Sequence, residues 1–394
     1  MKKRVLFVID SLHSGGAEKS LVSLLSLFDY ENYEVDLLTF KEGGLYVPLL
    51  SENVRLIDSP DIFSKMKLSI LDLIKRKDFK FALWRVNTSI TLRYKPKVRK
   101  IKHGAQLMWT RLDNVIPKLE KEYDVAIAYS QGTPTYYVSE KIVSKKKLCW
   151  VNTDYSKAGY SKEFDRKYYK KFNYIIAVSE KNREILKNVY PEFEGKIKVV
   201  YDIISSKLVR NLSLKSKGYE DEFSGVRILT IGRHVYLKGY DMAIEAARLL
   251  KEEGINFRWY SIGEGILTSK LKQKVKQYRL SENFIFLGTF TNPYPFIKEC
   301  DIYCQPSRFE GFGMAIAEAK MLNKPSVVTK FDVAYDQINN NKNGVLVEMS
   351  PNSIANGIKK VMNTNFKNII IDNLTVEKLG SEKEINKIYE LIEK

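Results

Sequence analysis

Short apolar runs alternate with helical patterns along the first half of the chain. The run RVLFVID (4–10) is apolar on both faces and rich in β-branched residues, as expected for a buried parallel strand. GGAEKSLVSLLSLF then combines a glycine turn with an amphipathic helix. Similar runs predict further strands at 33–40, 123–130, 146–152, 174–180 and 196–202. The alternation predicts a doubly wound α/β domain over residues 1–204.

A second alternating series follows a polar, glycine-punctuated stretch at 205–224, which is predicted to be an inter-domain linker. Its strands are predicted at 226–232, 256–263, 284–288, 301–307 and 325–329. These elements predict a second doubly wound domain over 225–376 and a terminal helix within 377–394. Two domains also fit the chain length of 394 residues.

Ligands of doubly wound sheets bind beyond the carboxyl ends of the strands, so the residues there are the first candidates for a site. Gly15 and Gly16 follow the first strand and open a helix, where free N–H groups suit an anion. A plain turn is the alternative. A dinucleotide site is disfavoured because the chain lacks GxGxxG there and the following acid, Asp36, lies inside its strand.

The second candidate is TIGRHVYLKGYD (230–241), in which a strand leads to Arg233 and then to Lys238 before a helix. Arginine offers a fork of N–H donors and lysine a compact charge, so the pair suits a diphosphate. A solvated basic loop is the alternative.

The third candidate is SRFEGFGMAIAEA (307–319), which follows the strand DIYCQPS. Glu310 lies in the loop, Gly311 and Gly313 open the helix, and Glu318 falls on its second turn. Taken singly, Glu310 could serve the helix dipole and Glu318 could face solvent. Taken together, the three stretches predict a ligand that is anionic at its centre and rich in hydroxyls at its ends, such as a nucleotide-sugar.

With these residues in place, the chain resembles the retaining, nucleotide-sugar-dependent glycosyltransferases of the GT-B fold. The similarity is to the glycogen-synthase-like group, glycosyltransferase family 4, which builds bacterial polysaccharides. It rests on GGAE at 15–18, GR and KG within 232–239, IGEG at 262–265, FLG at 286–288 and PSRFEGFGMAIAEA at 306–319. The resemblance implies two Rossmann-like domains facing across a cleft, with the terminal helix crossing back onto the first domain.

The resemblance also implies roles for single residues. Arg233 and Lys238 would bind the donor diphosphate, Glu310 would contact sugar hydroxyls beside the anomeric carbon, and Glu318 would hold the ribose. Further donor contacts are implied for Gly15, Gly16, Gly263, Gly288, Thr289, Gly311, Phe312, Gly313 and Met314. Glu310 would position the donor, and the configuration of the transferred sugar would be retained.

One position departs from the family pattern. CWVNTDYS (149–156) resembles a segment that often carries histidine where this chain has Asn152. Asparagine keeps a hydrogen bond to the donor sugar but cannot become a cation. We therefore count Asn152 with Glu310, Arg233 and Lys238 as a catalytic candidate. The same departure leaves open a non-catalytic partner subunit of a glycosyltransferase complex, and a sugar-nucleotide epimerase of the same fold is a further alternative.

The sequence predicts no metal and no cofactor. It has no Asp-x-Asp, its three histidines are scattered, and its three cysteines have no CxxC spacing. The nucleotide-sugar, most simply a UDP-sugar, would be a substrate.

The positive charge of the first half is concentrated in one segment. Residues 64–111 hold 14 Lys and Arg against 2 Asp, within a chain of net charge +18. Leu68, Leu71 and Ile74 recur there at helical spacing beside Trp84. A basic amphipathic segment indicates an anionic membrane surface; a solvated face and, less favoured, nucleic acid are the alternatives.

No apolar run is long enough to span a membrane. We therefore expect a cytoplasmic protein, peripheral on the inner face of the cell membrane, that acts on a lipid-linked or surface-polysaccharide acceptor.

Overall fold

The computed structural model describes residues 2–13, 15–66, 68–94, 103–377 and 379–394. The chain divides into two compact units. Unit 1 comprises Met1–Ile203 together with Lys383–Lys394, and unit 2 comprises Ile204–Glu382.

Unit 1 is built on a seven-stranded parallel sheet with the order β3-β2-β1-β4-β5-β6-β7. Successive residues of the interior strand β1 (Lys3–Ile9) face opposite sides, as strand geometry requires. Val5 and Phe7 enter one core and Leu6 and Val8 the other. The strands are β1 Lys3–Ile9, β2 Tyr33–Thr39, β3 Val54–Ile57, β4 Tyr123–Ala128, β5 Ser144–Val151, β6 Tyr174–Ala177 and β7 Ile197–Val199.

Helices cover this sheet, and the terminal helix Glu384–Glu393 is one of them. Its Ile388 and Ile392 are buried in the same core as Phe7, and Tyr389 stacks on Tyr33 with ring centroids 5.5 Å apart. The others are Gly16–Ser26, Asp61–Lys65, Ile70–Lys75, Phe79–Tyr94, Gly104–Leu112, Thr133–Lys141, Lys162–Tyr169 and Glu180–Val189, with 3₁₀ turns at Val47–Leu49 and Pro191–Lys196.

Unit 2 is built on a six-stranded parallel sheet with the order β10-β9-β8-β11-β12-β13. Its strands are β8 Val226–Ile231, β9 Phe257–Ile262, β10 Phe284–Gly288, β11 Ile302–Gln305, β12 Ser326–Thr329 and β13 Val345–Val347. Its helices are Ser206–Ser213, Tyr240–Glu252, Thr268–Gln277, Tyr294–Glu299, Met314–Met321, Ala334–Gln337, Pro351–Met362 and Thr364–Val376, with a 3₁₀ turn at Tyr236–Lys238. The strand order reverses between β8 and β11, which is where such sheets bind ligands.

The prediction of two doubly wound α/β units is confirmed, but two strands were missed. β3 and β13 have four and three residues and lie at sheet edges. β3 has no buried residue and is interrupted by Arg55, and the apolar run of β13 is limited to three residues, so neither segment shows the longer apolar run that predicts a buried strand.

The prediction of an inter-domain linker at 205–224 is wrong, because the whole stretch belongs to unit 2. Residues 206–213 form a helix within unit 2 that is capped by the Ser205 side chain and buries Val209 and Leu212. Two buried apolar positions among Ser, Lys, Arg and Asn gave too sparse a pattern for the helix to be predicted.

Candidate functional site

Two loops of unit 2 meet at the carboxyl ends of β8 and β11. The β8 loop carries Arg233 and Lys238 and ends at Gly239, whose φ of +66° is left-handed. A Cβ on Gly239 would lie 1.8 Å from the Pro306 carbonyl oxygen in the β11 loop. Only glycine therefore allows the two loops to approach this closely.

Lys238 and Glu310 are brought together by this contact. The Lys238 Nζ lies 2.5 Å from Glu310 Oε2, and the side chains are 21% and 10% exposed. The stem of Lys238 runs across Gly232, where a Cβ would be 3.5 Å from the lysine Cδ. Two residues that the sequence predicted as donor ligands thus form one ion pair.

The second oxygen of Glu310 is held by residues that the sequence analysis missed. Oε1 accepts hydrogen bonds from Ser307 Oγ at 2.7 Å and from Gln305 Nε2 at 3.0 Å. The Tyr303 hydroxyl donates in turn to the Gln305 side-chain oxygen. A glutamine ending the apolar strand DIYCQ was the available signal, because a buried amide needs partners.

Arg233 is exposed, and its side chain makes no hydrogen bond or ion pair with any residue that the structure describes. Arg308, in the neighbouring loop, forms a two-pronged pair with Asp241 at 2.8 and 2.7 Å. Of these two arginines, Arg233 is the one with its guanidinium available to an anion.

The helix Met314–Met321 begins at Gly313, which has a φ of +84° and supplies no side-chain cap. The Gln337 amide donates to the carbonyl oxygen of Phe312, which fixes the turn before the helix. Gly311 lies in the preceding bend and Met314 is buried at the first helical position. The structure therefore has the predicted loop and the predicted helix start, and the helix begins four residues after Glu310.

Glu318 is only 1% exposed. The Tyr294 hydroxyl donates to its Oε1 at 3.0 Å. The alternative that Glu318 is a solvent-facing helix residue is therefore wrong. A carboxylate is rarely buried unless another group pairs with it, and the Tyr294 hydroxyl is such a group. Tyr294 is a second partner that the sequence analysis missed.

The ends of β9 and β10 adjoin the β8 loop. Gly263 has a φ of +138°, and a Cβ there would lie 2.0 Å from the Gly232 carbonyl oxygen. The Gly263 N–H donates to the Gly288 carbonyl at 2.7 Å. Gly288 is left-handed at +80° and Thr289 is exposed beside it. The loops that follow β8, β9 and β10 thus lie side by side.

The buried His234 side chain links these loops through hydrogen bonds. Its ring nitrogens lie 2.9 Å from Ser261 Oγ and 2.9 Å from Thr268 Oγ1. Burial, helped by the nearby Lys272 charge, lowers the pKa of His234 to about 4. The ring is therefore neutral at physiological pH and acts as a structural link.

In unit 1 the helix begins at Gly16, after an extended Gly15. A Cβ on Gly15 would lie 2.2 Å from the Glu18 carboxylate, so the glycine makes room for this side chain. A donor role for Gly15 and Gly16 stays a prediction.

Asn152 follows β5 at the carboxyl edge of the unit 1 sheet. Its side-chain amide donates to the Tyr129 carbonyl and its N–H to Gln131 Oε1, both at 2.9 Å. Its side-chain oxygen is buried and has no hydrogen-bond partner among the described residues. That oxygen has acceptor capacity to spare, and a contact with the donor sugar stays a prediction.

Asp10 is a neighbour of this edge that the sequence analysis did not single out. It follows β1, and Ser130 Oγ donates to its carboxylate at 3.3 Å. Burial raises the pKa of Asp10 to about 6. Asp36, by contrast, is occupied inside its sheet by Arg55, Lys121 and Tyr123.

Among the residues the structure describes, no group of three or more His, Cys, Asp or Glu side chains is arranged to hold a metal ion. The three cysteines, Cys149, Cys300 and Cys304, are buried and free.

Residues 224–373 match the family described as glycosyl transferases group 1. Over 364 residues, 92% of this chain and 90% of the relative, the chain is 23% identical to a *Campylobacter jejuni* protein. That relative is the N-acetylgalactosamine-N,N'-diacetylbacillosaminyl-diphospho-undecaprenol 4-alpha-N-acetylgalactosaminyltransferase. A *Staphylococcus aureus* poly(ribitol-phosphate) alpha-N-acetylglucosaminyltransferase is 30% identical over 34% of this chain and 27% of its own.

Solved structures share the fold over the full length. *S. aureus* TarM, as a mutant in complex with fondaparinux, alpha-GlcNAc-glycerol and UDP, aligns with a TM-score of 0.67, 16% identity and all of both chains covered. *Anabaena* HepE in complex with UDP and glucose aligns with a TM-score of 0.67, 17% identity and 99% of each chain covered. At this identity the likeness concerns the fold.

Proposed function

The chain is a glycosyltransferase of the GT-B fold, and from that premise we propose a specific reaction. The enzyme transfers a hexose-type sugar from a UDP-sugar to a lipid-linked or surface-polysaccharide acceptor, retains the configuration and uses no metal. The observation that carries this proposal is the meeting of Lys238 and Glu310 beside the unpaired Arg233. Cations for a diphosphate and a carboxylate for sugar hydroxyls then share one strand-end site.

The chemistry follows from the charges that form in the transition state. Negative charge develops on the leaving diphosphate, and in this proposal Arg233 and Lys238 stabilise it. Glu310 binds donor hydroxyls and orients the sugar, and Glu318 takes the ribose. The acceptor hydroxyl attacks from the face of the leaving group and passes its proton to a phosphate oxygen.

The donor and acceptor classes are supported by relatives. The *C. jejuni* relative acts on a diphospho-undecaprenol glycan and the *S. aureus* relative on poly(ribitol-phosphate). TarM and HepE have been solved with UDP. A UDP-sugar and a carrier-linked glycan are accordingly the substrates to try first.

A second candidate, a non-catalytic partner subunit, is favoured only by Asn152, which stands where the family that the sequence resembles often carries histidine. The contact of Lys238 with Glu310, together with Arg233 in the β8 loop and Glu318 on the helix after the β11 loop, argues against it. An epimerase of the same fold would turn over the nucleotide-sugar without any acceptor, so omitting the acceptor separates that third candidate.

The test is nucleotide release from a panel of nucleotide-sugars by the purified protein, with EDTA present, beside a Glu310→Ala variant. Chelator-resistant release from a UDP-sugar that the variant loses would support the proposal. Binding of donors without turnover, even with membranes as acceptor source, would favour the partner subunit. Loss of release on adding EDTA would contradict metal independence.

The proposal includes a membrane surface as partner. Seven exposed apolar side chains lie within residues 70–90 on two successive helices: Ile70, Leu71, Ile74, Phe79, Leu83, Val86 and Ile90. The last four are spaced by four, three and four residues and so share one face of a helix. Thr88, on the opposite face of the same helix, is buried. We call these seven side chains the apolar stripe.

Exposed cations accompany the apolar stripe. Lys75, Arg76, Lys77 and Lys80 lie on or between the same two helices. Single exposed apolar residues need no explanation, but a contiguous group flanked by lysines suits the interface of an anionic bilayer. Of the basic segment 64–111, residues 67 and 95–102 lie outside the described residues.

No helix in the described part of the chain is long and apolar enough to cross a membrane. We propose that the protein lies on the inner face of the cell membrane through the apolar stripe, next to its carrier-linked acceptor.

A further inference from the structure

The Lys238–Glu310 pair joins the proposed phosphate ligand to the proposed sugar ligand. Both side chains are largely buried, and their charged atoms are in contact. From this geometry we infer that donor binding is an exchange of partners. Lys238 leaves Glu310 for the diphosphate, and donor hydroxyls take the carboxylate oxygen that Lys238 releases. The inference rests on the proposed function. It adds that the contact between Lys238 and Glu310 must break when the donor binds.

Only one oxygen of Glu310 can take part in this exchange. Oε1 already accepts from Ser307 Oγ and Gln305 Nε2. Two donors use the acceptor directions of one carboxylate oxygen. Ser307 and Gln305 are buried, at 0% and 2% exposure, so neither can leave without an unpaired polar group remaining inside the protein. Oε2, held by Lys238, is the oxygen that can face a donor.

Gln305 is the positioning residue in this arrangement. The hydroxyl of the fully buried Tyr303 donates to the Gln305 side-chain oxygen, which turns the Gln305 amide nitrogen toward Ser307 and Glu310. Three buried side chains thus fix the plane of the Glu310 carboxylate before any donor arrives. Without Gln305 the carboxylate would rotate, and the donor hydroxyls would meet it in the wrong orientation.

The exchange is electrostatically reasonable. A diphosphate carries more negative charge than one carboxylate. Arg233, whose side chain is exposed and unpaired among the described residues, follows Gly232, across which the Lys238 stem runs. Binding the diphosphate therefore replaces one partner of Lys238 by a stronger one. Until then, Glu310 competes with the diphosphate for the lysine, and nucleoside diphosphate alone binds against that competition.

The first experiment is a double-mutant cycle of Lys238→Met and Glu310→Gln, with UDP affinity measured by calorimetry. Glu310→Gln should tighten UDP about fivefold when Lys238 is present, the factor expected for releasing one partly exposed ion pair. The same substitution should change UDP affinity by less than about twofold when Lys238 is already methionine. A damaged protein would not bind more tightly, so the gain cannot come from misfolding. Equal tightening in both backgrounds would mean that Glu310 simply repels the phosphate, and would overturn the exchange.

The second experiment tests Gln305. Gln305→Leu should lower kcat for a UDP-sugar by about 100-fold, the effect of misplacing a reacting group by an ångström, while UDP affinity stays within about twofold. The matched control is Gln106→Leu in unit 1. Gln106 is also fully buried and also donates to a carboxylate, Asp165, at 2.6 Å. The Gln106→Leu substitution should lower the stability of the protein and leave UDP-sugar hydrolysis unchanged.

The outcomes separate the inference from the proposed function. A wild-type protein that binds neither UDP nor any nucleotide-sugar would remove the proposed function, and the exchange with it. A wild-type protein that turns over a UDP-sugar, with Gln305→Leu equal to Gln106→Leu, would leave the function standing and overturn the positioning role of Gln305.

Discussion

Arg233 and Arg308 are 75 residues apart in sequence but lie in neighbouring loops. Their side chains differ in their hydrogen-bond and ion-pair partners. Arg308 is anchored to Asp241 and also donates to the Tyr236 carbonyl at 2.9 Å. Arg233 has no partner in the described part of the chain. A side chain left unpaired in a crowded polar loop contributes little to stability and is available to a ligand.

Substitution should separate these two roles. Arg233→Ala should lower kcat/KM for nucleotide release by about 100-fold, the effect of removing one preorganised charge donor, without changing the melting temperature. Arg308→Ala should lower the free energy of unfolding by about 1 kcal/mol through loss of its ion pair. Thermal unfolding and donor hydrolysis measured on both variants check this. A destabilised Arg233→Ala protein with normal turnover would contradict the assignment.

Asp202 predicts a pH dependence of stability. It is fully buried near the end of unit 1, and burial raises its pKa to about 6, against a hydrogen bond from Ser20. In the unfolded chain the carboxyl titrates near ~3.9. Between these values the folded state keeps a proton that the unfolded state has lost. This residue therefore lowers the free energy of unfolding as pH rises from about 4 to about 6, by roughly 2–3 kcal/mol in total.

An Asp202→Asn variant should lack that contribution. Urea unfolding at several pH values, compared between wild type and variant, isolates it because all other groups are shared. We expect the difference in free energy of unfolding to grow in favour of the variant from pH 4 to pH 6 and to stay constant above. A difference independent of pH would show that the pKa of Asp202 is the same in the folded and unfolded protein, and would contradict the raised value.

At the scale of elements, the approach of the β8 and β11 loops depends on Gly239. Gly239→Ala would combine a left-handed φ with a Cβ placed on the Pro306 oxygen. Gly254 is the matched control, because its φ of +72° is similar and a Cβ there meets nothing within 4 Å.

Both alanine variants should lose about 1–2 kcal/mol for the left-handed backbone. Only Gly239→Ala should lose more than that and also lose donor turnover, because its loops must separate. Chemical unfolding together with UDP-sugar hydrolysis measures both effects. Equal behaviour of the two variants would show that the loop contact is not needed.

The apolar stripe makes an element-scale prediction about membranes. Leu83→Asp should weaken binding to phosphatidylglycerol-containing vesicles by about tenfold or more, since a leucine buried in apolar surroundings contributes about 1.5–3 kcal/mol. Val376→Asp is the control, because Val376 is 81% exposed on a helix of unit 2 and is not part of the basic segment 64–111. Cosedimentation with anionic and with pure phosphatidylcholine vesicles measures both. Equal loss of binding in the two variants, or no binding of the wild type to anionic vesicles, would contradict the membrane proposal. The segment would then be a solvated face.

Much of the site could be predicted from sequence because strand ends are recognisable. The long apolar runs gave β8 and β11, and the glycines and charges after them gave Arg233, Lys238 and Glu310. What the sequence could not give is pairing across loops. Nothing in local pattern says that Lys238 bonds Glu310, that Gln305 turns its amide toward Glu310, or that Tyr294 reaches Glu318, since these contacts join residues 5 to 72 positions apart.

At the scale of the whole molecule, the two units divide the proposed work. Unit 2 carries the site at its switch point between β8 and β11, within the region that matches the group 1 glycosyl transferases. Unit 1 carries the apolar stripe and the concentration of positive charge. If unit 2 binds the donor and unit 1 binds the membrane, as proposed, the protein would suit an acceptor that is fixed to a lipid carrier.

The most direct measurement is transfer of radiolabelled sugar from UDP-sugars into butanol-extractable lipid, with EDTA present and with wild type beside Glu310→Gln. The account predicts incorporation by the wild type from one UDP-sugar, at least about 100-fold less by the variant, and none without added lipid acceptor. Incorporation that the variant supports equally would contradict the role of Glu310. No incorporation from any donor, by a protein that binds UDP, would contradict the claim that this chain is itself the catalyst.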